Sequence, residues 1–162
     1  LNSCLKNNSF FTQNLVGLEA TLSALPSGAE KFKDVSLPSC LKDLHNYEIA
    51  YVTRVIDGDS IQVLVDGKEE EVRYIGINAP EYYSHERKAA EAATRKNQEL
   101  VEKQYVLLIK DVSERDKFGR LLRYVITADG FVNYELVKSG MAVVKEYPPD
   151  TACHQYFAPV AQ

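Results

Sequence analysis

The stretch YEIAYVTRVIDGDSIQVLVDGKEEEVRYIGINAPE, residues 47–81, decides the fold. Tyr47, Ile49, Tyr51 and Thr53 alternate with Glu48, Ala50 and Val52, and apolar residues continue to Ile56, which predicts a first strand. Asp57-Gly58-Asp59 supplies turn chemistry, and Ser60 to Val65 reads as a second strand. Asp66-Gly67 is the strongest short hairpin signal in the chain. A third strand then runs from about Glu70 to Ile77, so three consecutive strands joined by tight turns make a meander.

Toward the C-terminus, Ser84 reads as an N-cap for a helix from His85 to about Lys103, with Ala89, Ala90, Ala92, Ala93, Leu100 and Val101 on its buried side. Tyr105 to Lys110 and Leu121 to Thr127 are further strands, and Asp129-Gly130 marks the turn after them. A second helix covers about Val132 to Ser139, stopped by Gly140, and Met141 to Val144 is a short apolar stretch. This order fits an α+β, mainly β chain: a five-stranded OB-fold barrel of Greek-key type with flanking helices. Toward the N-terminus, Phe10, Phe11, Leu15, Leu18, Leu22 and Leu25 predict an amphipathic helix over 10–25, ended by Pro26, Ser27 and Gly28. Ala29 to Asp43 reads as irregular chain, with Pro38 opposing a central strand. Residues 1–45 are thus an N-terminal extension and 46–162 the barrel domain.

The 162 residues carry 19 Lys+Arg and 23 Asp+Glu, a net charge of −4, with 45% hydrophobic residues. That composition excludes disorder, collagen and coiled coil. No apolar run approaches the roughly 18 residues of a membrane span, and the basic-then-apolar order of a signal peptide is missing. The chain opens at Leu1 rather than Met, which reads as a processed product. Cys4, Cys40 and Cys153 are too few for a disulfide scaffold or a four-cysteine zinc site. Cys4 and Cys40 can pair within the N-terminal segment; three free thiols are an equal alternative. The acidic balance argues mildly against nucleic-acid binding by bulk charge, although a pocket needs only local positive charge aimed at one phosphate.

Four polar clusters interrupt the β pattern: Asp57-Gly58-Asp59, Arg73, Asn78-Ala79-Pro80-Glu81 and Arg115-Asp116-Lys117-Phe118-Gly119-Arg120. Each alone reads as turn or surface chemistry. Together they hold what metal-assisted phosphodiester cleavage needs. A hard cation such as Ca²⁺ takes six to eight oxygen ligands, which Asp59, Asn78 and Glu81 can supply. Charge that develops on phosphoryl oxygens is matched by planar guanidinium groups, for which Arg73 and Arg120 are the candidates.

VIDGDSIQVLVDG, VRYIGINAPE, RDKFGRLLRYV and VNYELVKSGMA fall in the order and spacing of the staphylococcal (thermonuclease-type) nucleases, which the chain resembles over about residues 47–145. The resemblance implies an OB-fold enzyme that cleaves DNA and RNA with Ca²⁺. It further implies that Asp59, Asn78 and the Ala79 carbonyl are metal ligands, with Asp57 supporting them. Arg73 and Arg120 match the catalytic arginines, Glu81 the group that activates or orients the attacking water, and Lys117 and Phe118 the residues that contact a nucleotide phosphate. Little sugar selectivity, 3′-phosphate product ends and an exported protein, secreted or in the cell envelope, are also implied.

The chain departs from that pattern. Asn78 stands in place of an aspartate, removing one charge and predicting weaker Ca²⁺ binding. Phe118 lacks a tyrosine hydroxyl. The segment between Tyr82 and the helix is short, and only 13 residues follow Pro149. The leucine-striped helix over 10–25 is therefore expected to cover the exposed face of the barrel. Tyr82, Tyr83 and Tyr147 are the tyrosines nearest the pocket by position and can stack bases, although a core or ordinary surface role suits each better. A competing reading is a catalytically inactive OB-fold module that binds single-stranded nucleic acid or a protein partner. Asn78 and the acidic charge favour it, while the joint presence of Asp59, Arg73, Glu81 and Arg120 opposes it. A monomer is expected.

Overall fold

A computed structural model describes residues 29–83 and 85–161. The predicted helix over 10–25, Cys4 and the Ser84 cap lie outside the described residues. The chain forms two compact units, residues 1–35 and 36–162. In the first, Ala29–Phe32 form one 3-10 turn. A second 3-10 turn, Ser39–Leu41, opens the larger unit, so short turns punctuate the stretch expected to be irregular.

Eight strands follow: β1 Tyr47–Asp57, β2 Ser60–Val65, β3 Lys68–Tyr74, β4 Ile77–Asn78, β5 Tyr105–Ile109, β6 Leu121–Thr127, β7 Gly130–Phe131 and β8 Val143–Val144. The main sheet runs β3-β2-β1-β5-β6-β7, and parallel pairing of β3 with β6 closes five of these strands into the OB-type barrel expected from the sequence. Closure needs β1 to serve two partners. Its first half pairs with β5 and its second with β2, and register irregularities between Val52 and Arg54 and between Val55 and Asp57 bend it from one to the other. Val52, Val63, Val72, Val106 and Leu108 from the closing strands are buried.

The third strand is shorter than expected. It stops at Tyr74 because Gly76 takes a left-handed conformation, with φ of +78°, which turns the chain before β4 pairs with β8. A Cβ at Gly76 would lie 2.8 Å from the Phe157 ring, so the turn also depends on close approach.

Helix α1 spans Arg87–Val101, about a turn shorter than the sequence pattern suggested, and buries Ala90, Ala93, Thr94, Asn97 and Val101. Ala89 is exposed, and Ala92 and Leu100 are half-buried, because a 3.6-residue period admits only one stripe to the core. Helix α2, Val132–Lys138, ends as Gly140 predicts: Gly140 N–H donates to Val137 O and Met141 N–H to Leu136 O, closing a Schellman turn. A short helix α3 spans His154–Phe157.

The cysteine expectation is corrected. Cys40 is bonded to Cys153 across 113 residues of sequence, neither pairing with Cys4 nor remaining free. The partner of Cys40 lies beside it only in the folded chain, where the start of the larger unit meets α3.

Candidate active site

The Asp57-Gly58-Asp59 turn joins β1 to β2, and α1 presses on it. A Cβ on Gly58 would come within 2.6 Å of the Ala79 Cβ and 2.7 Å of the Ala93 Cβ. Asn97 from the same helix donates its amide to Asp57 O at 2.9 Å and accepts the Tyr74 hydroxyl at 2.8 Å. Asp57 Oδ1 in turn accepts Asp59 N–H, an Asx turn that fixes Asp59.

Asp59 is 6% exposed. Its Oδ2 accepts Ala79 N–H at 2.6 Å and lies 3.1 Å from Arg73 Nη2. Burial pushes its carboxyl up to about 6, against the opposing pull of Arg73 and the Ala79 N–H. Arg73 is tightly committed. Nη1 donates to the carbonyls of Tyr74 and Ile77, the two peptides flanking the Gly76 turn, and Nη2 donates to Asn78 Oδ1 at 3.0 Å. The Tyr147 hydroxyl also reaches Asn78 Oδ1, at 3.4 Å, and Asn78 Nδ2 reaches Ala79 O at 3.4 Å.

Opposite this cluster stands the loop between β5 and β6. Asp116 Oδ1 accepts the N–H groups of Phe118 and Arg120, while Oδ2 accepts Arg120 Nε at 2.7 Å. Burial raises the Asp116 carboxyl, but these bonds, Arg120's first, outweigh it and hold the group below its ordinary range. Arg115 clamps the loop from outside, donating to both oxygens of Glu70 and to Gly119 O. Phe118 is exposed, with Lys117 Nζ 5.0 Å and Arg120 Cζ 5.5 Å from its ring centroid.

A cleft of about 650 Å³ collects every sequence-predicted site residue: Asp57, Asp59, Arg73, Asn78, Ala79, Glu81, Lys117, Phe118 and Arg120. Tyr82, Tyr83 and Tyr147 also line it. Glu81 is exposed at its edge. Sequence reasoning left Asp116 and Asn97 without roles. For Asp116 the signal was an aspartate four residues before an arginine in a tight loop. For Asn97 it was an amide on the buried stripe of a helix, between Ala93 and Val101.

A closed OB barrel whose cleft is lined by a buried aspartate, an arginine bonded to it and a second arginine on the loop between β5 and β6 defines a class, and family comparison agrees. The profile described as staphylococcal nuclease homologue matches residues 71–160, and the chain belongs to that family. Individual relatives include a thermonuclease of Staphylococcus intermedius, 41% identical over 105 residues that cover 61% of each chain. Endonuclease YncB of Bacillus subtilis is 40% identical over 60% of this chain and 49% of its own, and a thermonuclease of Staphylococcus hyicus is 36% identical over 65% and 64%. The matches span between about half and just under two thirds of these relatives' lengths. Among the described residues, no helix is long and apolar enough to cross a membrane.

Proposed function

We propose that the protein is a Ca²⁺-dependent nuclease that hydrolyses phosphodiester bonds of DNA and RNA with little sequence preference. The observation that carries this reading is the convergence of Arg73, Arg120, Asp59 and Glu81 on one cleft. The names of the relatives, thermonuclease and endonuclease, support it.

The donor set fits a hard cation of modest affinity. Asp59 Oδ2 and Asn78 Oδ1 are brought together by Arg73 Nη2, which lies within 3.1 Å of both, and the Ala79 carbonyl is 3.4 Å from Asn78 Nδ2, so a cation would have to take the two oxygens over from the guanidinium. Among the described residues no group of three His, Cys, Asp or Glu side chains could hold a metal. The set is therefore one carboxylate with amide and peptide oxygens, completed by water, which suits Ca²⁺ better than a transition metal. Asn78 Oδ1 already accepts two hydrogen bonds, so ligation requires it to release one. Such an ion, when bound, supplies positive charge at a phosphate oxygen.

The chain's own residues do the rest. Glu81 orients a water for in-line attack on phosphorus and accepts its proton as the P–O ester bond opposite the water breaks, the leaving oxygen taking a proton from solvent. Arg120 presents its Nη atoms to the phosphoryl oxygens, and Arg73 holds positive charge close to Asp59 as negative charge accumulates in the transition state. Phe118 and Lys117 offer an aromatic face and a cation to the neighbouring nucleotide. The protein acts as a monomer in this reading. The Cys40–Cys153 disulfide supports an oxidising location, secreted or in the cell envelope. Residues 46–162 hold every residue of this site and are the nuclease domain, and residues 1–45 are an accessory extension that the Cys40–Cys153 disulfide ties to it.

The test is hydrolysis of denatured DNA and of RNA by the full chain while Ca²⁺ is titrated into the millimolar range, with EDTA and Glu81→Gln controls. Ca²⁺-dependent cleavage lost in Glu81→Gln is the expected result. Absence of cleavage by folded protein at every Ca²⁺ concentration refutes the enzyme reading in favour of a binding module.

A further inference from the structure

The two cleft arginines are held differently. Arg73 gives both Nη atoms to protein acceptors, namely two carbonyls, Asn78 and Asp59. Among the described residues, the close acceptor of the Arg120 guanidinium is Asp116, through Nε. Its Nη1 lies at a loose 3.8 Å from Glu71 Oε1, and the Glu71 side chain is 44% exposed.

Strand geometry explains why Glu71 is there. In β3 Val72 and Tyr74 point into the barrel, so Glu69, Glu71 and Arg73 share the other face. Parallel pairing of Val72 with Leu121 sets the start of β6, and hence Arg120 immediately before it, beside Glu71. Neighbouring carboxylates on this strand are engaged elsewhere: Glu70 is gripped by Arg115 and Glu69 accepts the Gln62 amide.

We infer that Glu71 is a placeholder for substrate phosphate: it occupies the Nη1 corner of Arg120 in the substrate-free protein and yields it to an incoming phosphodiester, thereby setting substrate affinity. Asp116 keeps its bond to Nε throughout, so the guanidinium stays aimed while its anionic partner is exchanged. A carboxylate competes with phosphate for the same donors because both present oxygens that match the guanidinium fork. Glu71 also repels the incoming anion. It tunes substrate affinity and is not a catalytic residue, and the inference rests on the reading of the cleft as a phosphodiester site.

The experiment compares wild type, Glu71→Gln and Glu69→Gln as full chains with Ca²⁺ present, using a fluorescein-labelled oligothymidylate with phosphorothioate linkages as the probe. Glu69→Gln removes the same charge from the same strand face without touching Arg120. Because exposed ion pairs are weak, Glu71→Gln should tighten probe binding by about two- to fivefold. It should lower KM for cleavable DNA by a similar factor and leave kcat nearly unchanged, while Glu69→Gln stays near wild type. Glu71→Ala should repeat the gain. Equal affinity of Glu71→Gln and wild type, an equal gain in Glu69→Gln, or no binding by any of them overturns the inference. Cleavage of ordinary DNA by wild type is scored separately. A protein that binds the probe as expected but does not cleave refutes the nuclease reading and leaves the role of Glu71 standing.

Discussion

Removing the Cys40–Cys153 disulfide should lower stability sharply, and its size follows from topology. The bond closes a loop across 113 residues, nearly the whole larger unit. The loop-entropy relation gives about 5 kcal/mol for such a loop at 25 °C, and observed losses more often reach about 2–4 kcal/mol. For a unit spanning residues 36–162 the unfolding entropy near the midpoint is on the order of 270 cal/mol/K, so each kcal/mol moves Tm by about 4 °C. Cys40→Ala/Cys153→Ala, made in a Cys4→Ser background to prevent new pairings, should therefore melt about 8–15 °C below its Cys4→Ser parent. The assay is thermal unfolding by circular dichroism, with and without reductant. Reductant should bring the parent down to the level of the double variant and leave the variant unchanged. A Tm within about 2 °C of the parent would refute the reasoning, because the loop would then contribute nothing in the unfolded chain. The site should feel the loss through α3, whose Phe157 ring supports the Gly76 turn between Arg73 and Asn78. Nuclease activity should therefore fail at a temperature that shifts with Tm.

Other outcomes follow from the cleft. Asp59 binds its proton more tightly folded, at about 6, than at its ordinary 3.8, so stability should fall as pH rises between about 4 and 6 and then level off. Its contribution is at most about 3 kcal/mol; denaturant midpoints across that range should lose this slope in Asp59→Asn, and persistence of the slope would assign it to another group. Gly58→Ala should destabilise by about 1–3 kcal/mol through collision with Ala79 and Ala93, measured by urea unfolding, and wild-type stability would show that α1 is free to retreat. Arg73→Lys should lose both stability and turnover, since lysine cannot serve four acceptors. Arg120→Lys should lose turnover by about 10² or more while its Tm stays within a few degrees of wild type. Parallel kcat and Tm measurements that show the two variants alike would refute the division between a committed and an available arginine.

The five barrel strands and their order were legible in the sequence because each depends on local chemistry, and the candidate residues were legible as polar clusters that interrupt the β pattern. Alternation over Tyr47–Thr53 reflects the two faces of a strand. Asp66 and Gly67 adopt positive φ at the hairpin as that dipeptide predicts, and Gly140 closes α2. The nine candidate residues lie on strand ends and loops whose connections the meander dictates, and they share one cleft. Tertiary structure alone decided how they are held. Nothing local pairs Cys40 with Cys153, bends β1 between two partners, or selects Ala90 over Ala89 for the core. Nothing local sets Arg73 against Asp59, commits one arginine fully while leaving the other to Asp116 and Glu71, or lifts the Asp59 carboxyl. Each of these depends on contacts between residues far apart in the chain and on the exclusion of water between them, and both exist only once the barrel has closed.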